Sequence, residues 1–271
     1  MPQILKKSGV DNFVTSKISW NEANTLPYDT FMWQGIDGTE VFTNFITAQD
    51  AKPNGEITNF TTYNGDLTPD MVLGTWNRYQ QKEYNDEAVI TFGYGDGGGG
   101  PTREMLERFR RLQYGLPGLP RACMSNSADW LNHARENFTK NAELLQRMPR
   151  WVGELYLEFH RGTYTSMAKN KKNNRKSEFA LQQAEKLCAT DALLNGGATH
   201  DDELYHAWEV VLRNQFHDII PGSSIFEVYE DSDKEYAGVL ATTDAVCGEK
   251  IAALKNNVTT NGGTFVYNPL G

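Results

Sequence analysis

The chain has 271 residues, 39% hydrophobic and 23% charged, with a formal net charge of -9. That composition suits a soluble globular protein with a core of ordinary size, and the acidic balance argues against nucleic acid or an anionic membrane as partners, since both reward Lys and Arg. Cys123, Cys188 and Cys247 are odd in number, widely spaced and form no CxxC, which argues against a disulfide framework or a cysteine-based zinc site and for idle thiols in a reducing compartment.

The first ten residues, MPQILKKSGV, lack the apolar stretch of a secretory signal, and no run approaches the ~20 apolar residues of a membrane span. The sequons at Asn59, Asn137 and Asn257 therefore have no secretory context, and a cytoplasmic location is expected. Pro2 to Ser8 reads as a short helix closed by Gly9, and Val10 to Ile18 as a strand. Phe31–Ile36 and Val41–Ile46 read as two strands around Asp37-Gly38, a hairpin-type dipeptide. Thr68-Pro69 opens a helix expected to run to Glu83. Glu87–Phe92 is an apolar strand leading into a glycine-rich loop, Gly93 to Pro101, after which Thr102 caps a helix to Leu112. A strand at Arg121–Met124 and one long helix from Ser127 to Met148 complete an α/β domain over residues 1–150. It opens on a helix with no strand to pack on, so a domain lacking its beginning is expected.

The second half reads as helical. After a strand at Glu154–Phe159, helices are expected at Tyr164–Asn195, Asp201–Phe216 and Ile225–Lys255, an all-α three-helix bundle over residues 151–262. Thr264–Leu270 reads as a strand that starts a missing β-rich domain, residues 263–271.

Three segments could carry chemistry. Asp96, flanked by glycines at a strand end, is a carboxylate that backbone cannot crowd; the plain alternative is an idle surface aspartate. His217-Asp218 joins an imidazole to a carboxylate where a helix meets a Pro-Gly turn, a pairing common in metal sites but also a simple helix-end histidine. His206 lies eleven residues earlier, roughly 16 Å along a helix, too far to share an ion. His133, His160 and His200 could join only through the fold, and HxH and HExxH are absent. Glu154–Ser166 mixes aromatic rings with Glu154, Glu158, His160 and Arg161, which suits a sugar site or an ordinary domain seam. The basic run Lys169–Lys176 reads as a solvated helix face.

Together these segments carry a resemblance. Residues 214–224, NQFHDIIPGSS, resemble the signature of cytosolic-type α-mannosidases of glycoside hydrolase family 38. Residues 153–166, GELYLEFHRGTYTS, are similar to the start of that family's central helical domain. Residues 92–102, FGYGDGGGGPT, resemble its glycine-rich loop, and residues 15–41 match as well. The resemblance implies a partial α/β barrel-like catalytic domain followed by the helical domain, and a retaining exo-mannosidase acting on an α-mannoside with one bound divalent metal, Zn2+. It gives Asp96 the acid/base position, His217 a metal-ligand position and Asp218 a substrate contact, with Asp96 and His217 facing one pocket. The family's HxD ligands and nucleophilic aspartate lie upstream of the matched segment, so the chain by itself is expected to be inactive and to bind metal weakly. Asp37, Glu154 and Glu158 are the carboxylates that could stand in. The alternatives are a non-catalytic fragment or scaffold, and a hydrolase for a mannosylated small molecule.

Overall fold

The computed structural model describes residues 1–51 and 57–268. The chain divides into two compact units, Met1–Phe159 and His160–Gly271.

In the first unit, α1 (Pro2–Lys7) leads into β1 (Asn12–Thr15). A 3-10 turn at Lys17–Trp20 replaces the end of the expected strand, because the Ser19 hydroxyl donates back to the Ser16 carbonyl at 2.6 Å and competes with a ladder. β2 (Thr30–Gln34) and β3 (Glu40–Phe45) form the expected hairpin, with Gln34 opposite Glu40 and the turn tied by Asp37, which accepts from the Thr39 hydroxyl at 2.8 Å. β3 also runs parallel to β1, and β2 parallel to β6 (Arg150–Val152), giving a mixed sheet in the order β1-β3-β2-β6. Both faces of this sheet are covered. Phe31, Trp33 and Phe45 pack with Ile18, while Phe42 meets Leu131, Ala134, Phe138 and Met148, so β3 is buried from Val41 onward. β4 (Gln49–Ala51) and β5 (Ile57–Thr61) form a separate antiparallel pair that the sequence reading did not anticipate.

Helix starts follow their caps. The Thr68 hydroxyl accepts from the Met71 N–H, opening α2 (Pro69–Arg78), and Thr102 accepts from Met105, opening α3 (Arg103–Leu112), both at 3.2 Å. α2 stops before the expected Glu83 because Tyr79 turns inward, its ring buried and its hydroxyl 2.8 Å from Thr30 Oγ1. The single helix expected over 127–148 is two: α4 (Ser127–Thr139) and α5 (Ala142–Arg147). Asn141 accepts from the Glu143 N–H at 2.8 Å and so begins a new helix.

Three expected strands are irregular. Glu87–Phe92 packs its Val89, Ile90 and Phe92 side chains but makes one bridge, Phe92 with Gly65. Arg121–Met124 has no ladder. In Glu154–Phe159 the backbone bonds go to a side chain: Asn21 Nδ2 donates to the Tyr156 carbonyl at 2.7 Å and Asn21 Oδ1 accepts from the Glu158 N–H at 2.8 Å.

A buried polar network locks the 79–85 segment to β2. Gln81 Oε1 accepts the N–H groups of Asp29 and Thr30 at 2.6 and 2.9 Å, and Asp29 Oδ2 accepts from the Gln80 N–H at 2.8 Å. Burial raises the Asp29 carboxyl to about 6, against which these bonds to the charged form work only in part. A carboxyl raised on folding favours the fold fully below its unfolded value, and that contribution is lost as pH rises through about 6. Asp29→Asn should therefore stabilise the first unit at pH 8 relative to pH 4, by up to about 2–3 kcal/mol, the free-energy equivalent of a shift of about two units. Urea melts of both proteins at the two pH values measure this, and parallel pH dependence would refute it.

In the second unit, α6 (Ala168–Asn195), α7 (Asp201–Asn214) and α8 (Phe226–Lys255) pack around one core. Leu181, Ala184 and Cys188 from α6 meet Leu204, Ala207 and Val211 from α7 and Tyr236, Val239 and Val246 from α8. Among the described residues no helix is long and apolar enough to cross a membrane. Residues 264–268 of the expected last strand are irregular, and Pro269 and Leu270 lie outside the described residues. The basic run is only partly a solvated face. Lys169 pairs on the surface with Asp233, but Asn170 is buried against Ser232. Deeper in this unit, Lys250 and Asp191 form an ion pair at 3.3 Å with side chains only 2% and 4% exposed. Lys250→Met should cost about 3 kcal/mol, because it leaves Asp191 buried without its cation. The double variant Lys250→Met with Asp191→Leu should recover much of that loss in the same denaturation assay; a double variant as weak as the single would contradict this.

Candidate functional site

Asp96 belongs to the first unit, in a loop closed by the Tyr94 N–H donating to the Gly100 carbonyl at 3.0 Å. Its backbone is left-handed, with φ 56, and its carboxylate is exposed. Two side chains from the segment after β5 hold it. The Tyr63 hydroxyl lies 2.8 Å from both Asp96 carboxylate oxygens, and Asn64 Nδ2 donates to Oδ2 at 3.3 Å. Asn64 Oδ1 also accepts from the Gly95 N–H at 3.0 Å; a Cβ on Gly95 would sit 2.5 Å from that oxygen, so the loop needs glycine to approach this closely. The bond to Asp96 raises the Tyr63 phenol above its ordinary value, with burial adding to the effect. Lys17 Nζ lies 4.5 Å from the Tyr63 ring centre and 4.0 Å from that of Trp20.

His217 and Asp218 belong to the second unit, just past the end of α7. Both side chains point to solvent, 80% and 60% exposed, with His217 Nε2 3.7 Å from Asp218 Oδ2. The turn that presents them is braced from several directions. Asn214 Nδ2 donates to Glu235 at 2.6 Å, and Gln215 Nε2 to Asn174 and Glu178 at 3.0 and 2.9 Å. The Ser223 and Ser224 hydroxyls both donate to the Asp218 carbonyl. The Tyr229 hydroxyl accepts from the Ser224 N–H and donates to the Ile219 carbonyl. Lys171 donates to the carbonyls of Ser166 and Ile220, at 2.5 and 2.8 Å.

Among the described residues no group of three His, Cys, Asp or Glu side chains could hold a metal. His217 and Asp218 fall short of the three protein ligands usual at catalytic zinc, so the described residues do not fit a complete metal site. The other histidines are engaged elsewhere: His133 with Glu87, His200 with Glu203 and Glu249, His206 with Glu209. His160 caps a 3-10 turn in a left-handed conformation. Two of the stand-in carboxylates are also committed. Asp37 holds its hairpin turn, and Glu158 accepts the N–H groups of Glu22, Ala23 and Asn24, which draw its carboxyl below the usual range. Glu154 is exposed. A separate cavity of about 720 Å³ in the first unit, lined in part by Trp76, Ile90, Phe109 and Trp130, does not include Asp96.

Residues 1–154 match the family described as glycosyl hydrolases family 38 N-terminal domain, and residues 158–254 the alpha mannosidase middle domain. The chain is 36% identical to alpha-mannosidase G of Dictyostelium discoideum over 96% of its length and 22% of that protein's. It is 38% identical to an alpha-mannosidase of Saccharomyces cerevisiae, over 85% of the chain and 20% of the relative, and 34% identical to human alpha-mannosidase 2C1, over 94% and 23%. The chain thus spans about a fifth of the length of these relatives. An alpha-mannosidase from Enterococcus faecalis shares the fold with a TM-score of 0.66 at 19% identity, over 96% of this chain and 29% of that one.

The 217 turn depends on Gly222. Its φ is +91, and a Cβ there would lie 2.7 Å from the Ser166 Cβ. Gly222→Ala should destabilise the second unit by about 1–3 kcal/mol, from backbone strain and overlap together. Thermal melts measure this; a variant as stable as the parent would show that the turn is not clamped against Ser166.

Proposed function

The chain belongs to glycosyl hydrolase family 38, and from that premise we propose that it supplies part of the site of a retaining exo-α-mannosidase. Asp96 is the acid/base carboxylate, Asp218 contacts the sugar, and His217 is one ligand of a divalent metal, Zn2+, that would help to fix the sugar hydroxyls. The observation that carries this reading is the Asp96 carboxylate itself, open to solvent yet held at both oxygens by a neutral donor. A general acid needs that combination of access and fixed aim. Protonated, Asp96 gives its proton to the leaving oxygen as the glycosidic bond breaks, and then takes one from the water that releases the sugar.

Retaining hydrolysis also needs a nucleophilic carboxylate about 5 Å from the acid. Asp37 and Glu158 are tied to backbone and turn and Glu154 is exposed; on the family resemblance, that carboxylate and the remaining metal ligands would come from polypeptide beyond these residues. A helical central domain over 151–262 and a cytoplasmic location complete the proposal. A non-catalytic scaffold is the second reading, favoured by the lack of a three-donor metal group among the described residues.

Two assays separate the readings. The 271-residue chain alone should release no nitrophenol from p-nitrophenyl α-mannoside, with or without zinc or cobalt. A chimera in which this chain replaces the matching stretch of the yeast relative should turn over. In it, Asp96→Asn should lower kcat by about 10²–10⁴-fold, the usual share of a general acid, and His217→Ala should abolish the metal-dependent activity. A folded, active chimera indifferent to Asp96→Asn would overturn the assignment, and a folded chimera without activity would favour the scaffold.

A further inference from the structure

Glycine precedes Asp96 and four glycines follow it, so nothing in its neighbourhood of the chain sets the direction of its side chain. The groups that do so come from 32 and 33 residues upstream. We infer that Tyr63 is the positioning residue for the Asp96 carboxylate, with Asn64 as a weaker second brace. This rests on the reading of Asp96 as the acid/base group.

The geometry supports a specific aim. The Tyr63 hydroxyl is 2.8 Å from each carboxylate oxygen, so it centres on the carboxylate instead of pulling on one edge. Asn64 reaches only Oδ2, at 3.3 Å. Tyr63 is itself held by groups that do not touch Asp96. The Thr91 hydroxyl donates to its carbonyl at 2.9 Å, and the Lys17 ammonium sits 4.5 Å from its ring centre. Lys17 in turn lies 4.0 Å from the ring centre of Trp20, whose indole N–H donates to the Thr61 carbonyl at 2.8 Å. A line of contacts therefore runs from the end of β5 to the carboxylate, and the glycine loop carries the acid without having to aim it.

A phenol suits this task better than a cation would. Lys or Arg at this place would bind the carboxylate as a charged pair and hold it ionised, leaving no proton to deliver. The hydroxyl donates without adding charge. When Asp96 is protonated, Tyr63 can keep its bond to one oxygen while the other carries the proton toward the leaving group. When the proton has gone, the same hydroxyl steadies the new carboxylate. Removing it should slow only reactions that depend on proton delivery. Substrates with a poor leaving group need that proton; a dinitrophenyl mannoside hardly does.

Two measurements test the inference. In the 271-residue chain labelled at tyrosine Cζ, Tyr63, identified by its loss in Tyr63→Phe, should titrate above ordinary tyrosines and move back toward them in Asp96→Asn. In the chimera, Tyr63→Phe should lower kcat/KM for methyl α-mannoside roughly tenfold, about the effect of one hydrogen bond, and leave that for 2,4-dinitrophenyl α-mannoside nearly unchanged. A Tyr63 resonance indifferent to Asp96→Asn, or an equal loss on both substrates, would overturn the assignment. Asp96→Asn separates this from the broader reading. If it too costs the same on both substrates, Asp96 is not the acid and both proposals fall. If it shows the leaving-group split and Tyr63→Phe does not, only the role of Tyr63 is lost.

Discussion

A backbone N–H or carbonyl that leaves a helix or strand must still find a partner, and both candidate loops of this chain meet that demand with side chains instead of a sheet. The loop carrying Asp96 is fastened by Asn64, which binds the Gly95 N–H and the Asp96 carboxylate with its two amide ends. The turn carrying His217 is fastened by Ser223, Ser224, Tyr229 and Lys171, which among them take up the carbonyls of Asp218, Ile219 and Ile220. The same solution recurs where no chemistry is proposed: Asn21 and Glu158 satisfy each other's segments across more than a hundred residues of sequence. Side chains used in this way fix irregular backbone and leave exposed only the groups that are not needed for bracing.

This explains which parts of the fold were legible in the sequence. Thr68 and Thr102 announce their helices because a cap is a local interaction, settled within three residues. The hairpin at Asp37-Gly38 was legible for the same reason. Asn141 is also a cap, accepting from the Glu143 N–H, but it lies inside the stretch read as one helix over 127–148. The strands expected at 87–92 and 154–159 failed differently. Their apolar residues are packed as the pattern implies, but a strand also needs a neighbour, and a single sequence does not say where the neighbour is.

The candidate site divides along the same line. Asp96 stood out because glycine on both sides is an unusual setting for a carboxylate, and His217-Asp218 because the Pro-Gly turn follows at once. Tyr63 and Asn64 gave no signal, since they lie in a polar stretch with no spacing tied to Asp96. Lys171 was hidden inside a basic run that reads as surface. Its neighbours Lys169 and Arg175 do lie on the surface, but Lys171 caps two carbonyls. The residues proposed to perform chemistry carry local marks, whereas those that hold them in place are recruited from wherever the fold brings a donor.

The arrangement also bears on what the two units can do by themselves. Each presents its candidate residues on backbone that is already fixed, so neither loop depends on a ligand for its shape. A preformed loop lowers the cost of binding, because little conformational entropy remains to be lost when a ligand arrives. The proposed mechanism would still need a second carboxylate. Of the carboxylates considered for that role, Asp37 and Glu158 already accept hydrogen bonds from turn backbone and side chains, and freeing either would undo the turn it holds. The chain therefore has the traits of a positioned acid and of an exposed imidazole–carboxylate pair, each braced in its own unit. On the proposed retaining chemistry a nucleophile is a further requirement, one that the bracing of Asp37 and Glu158 does not meet.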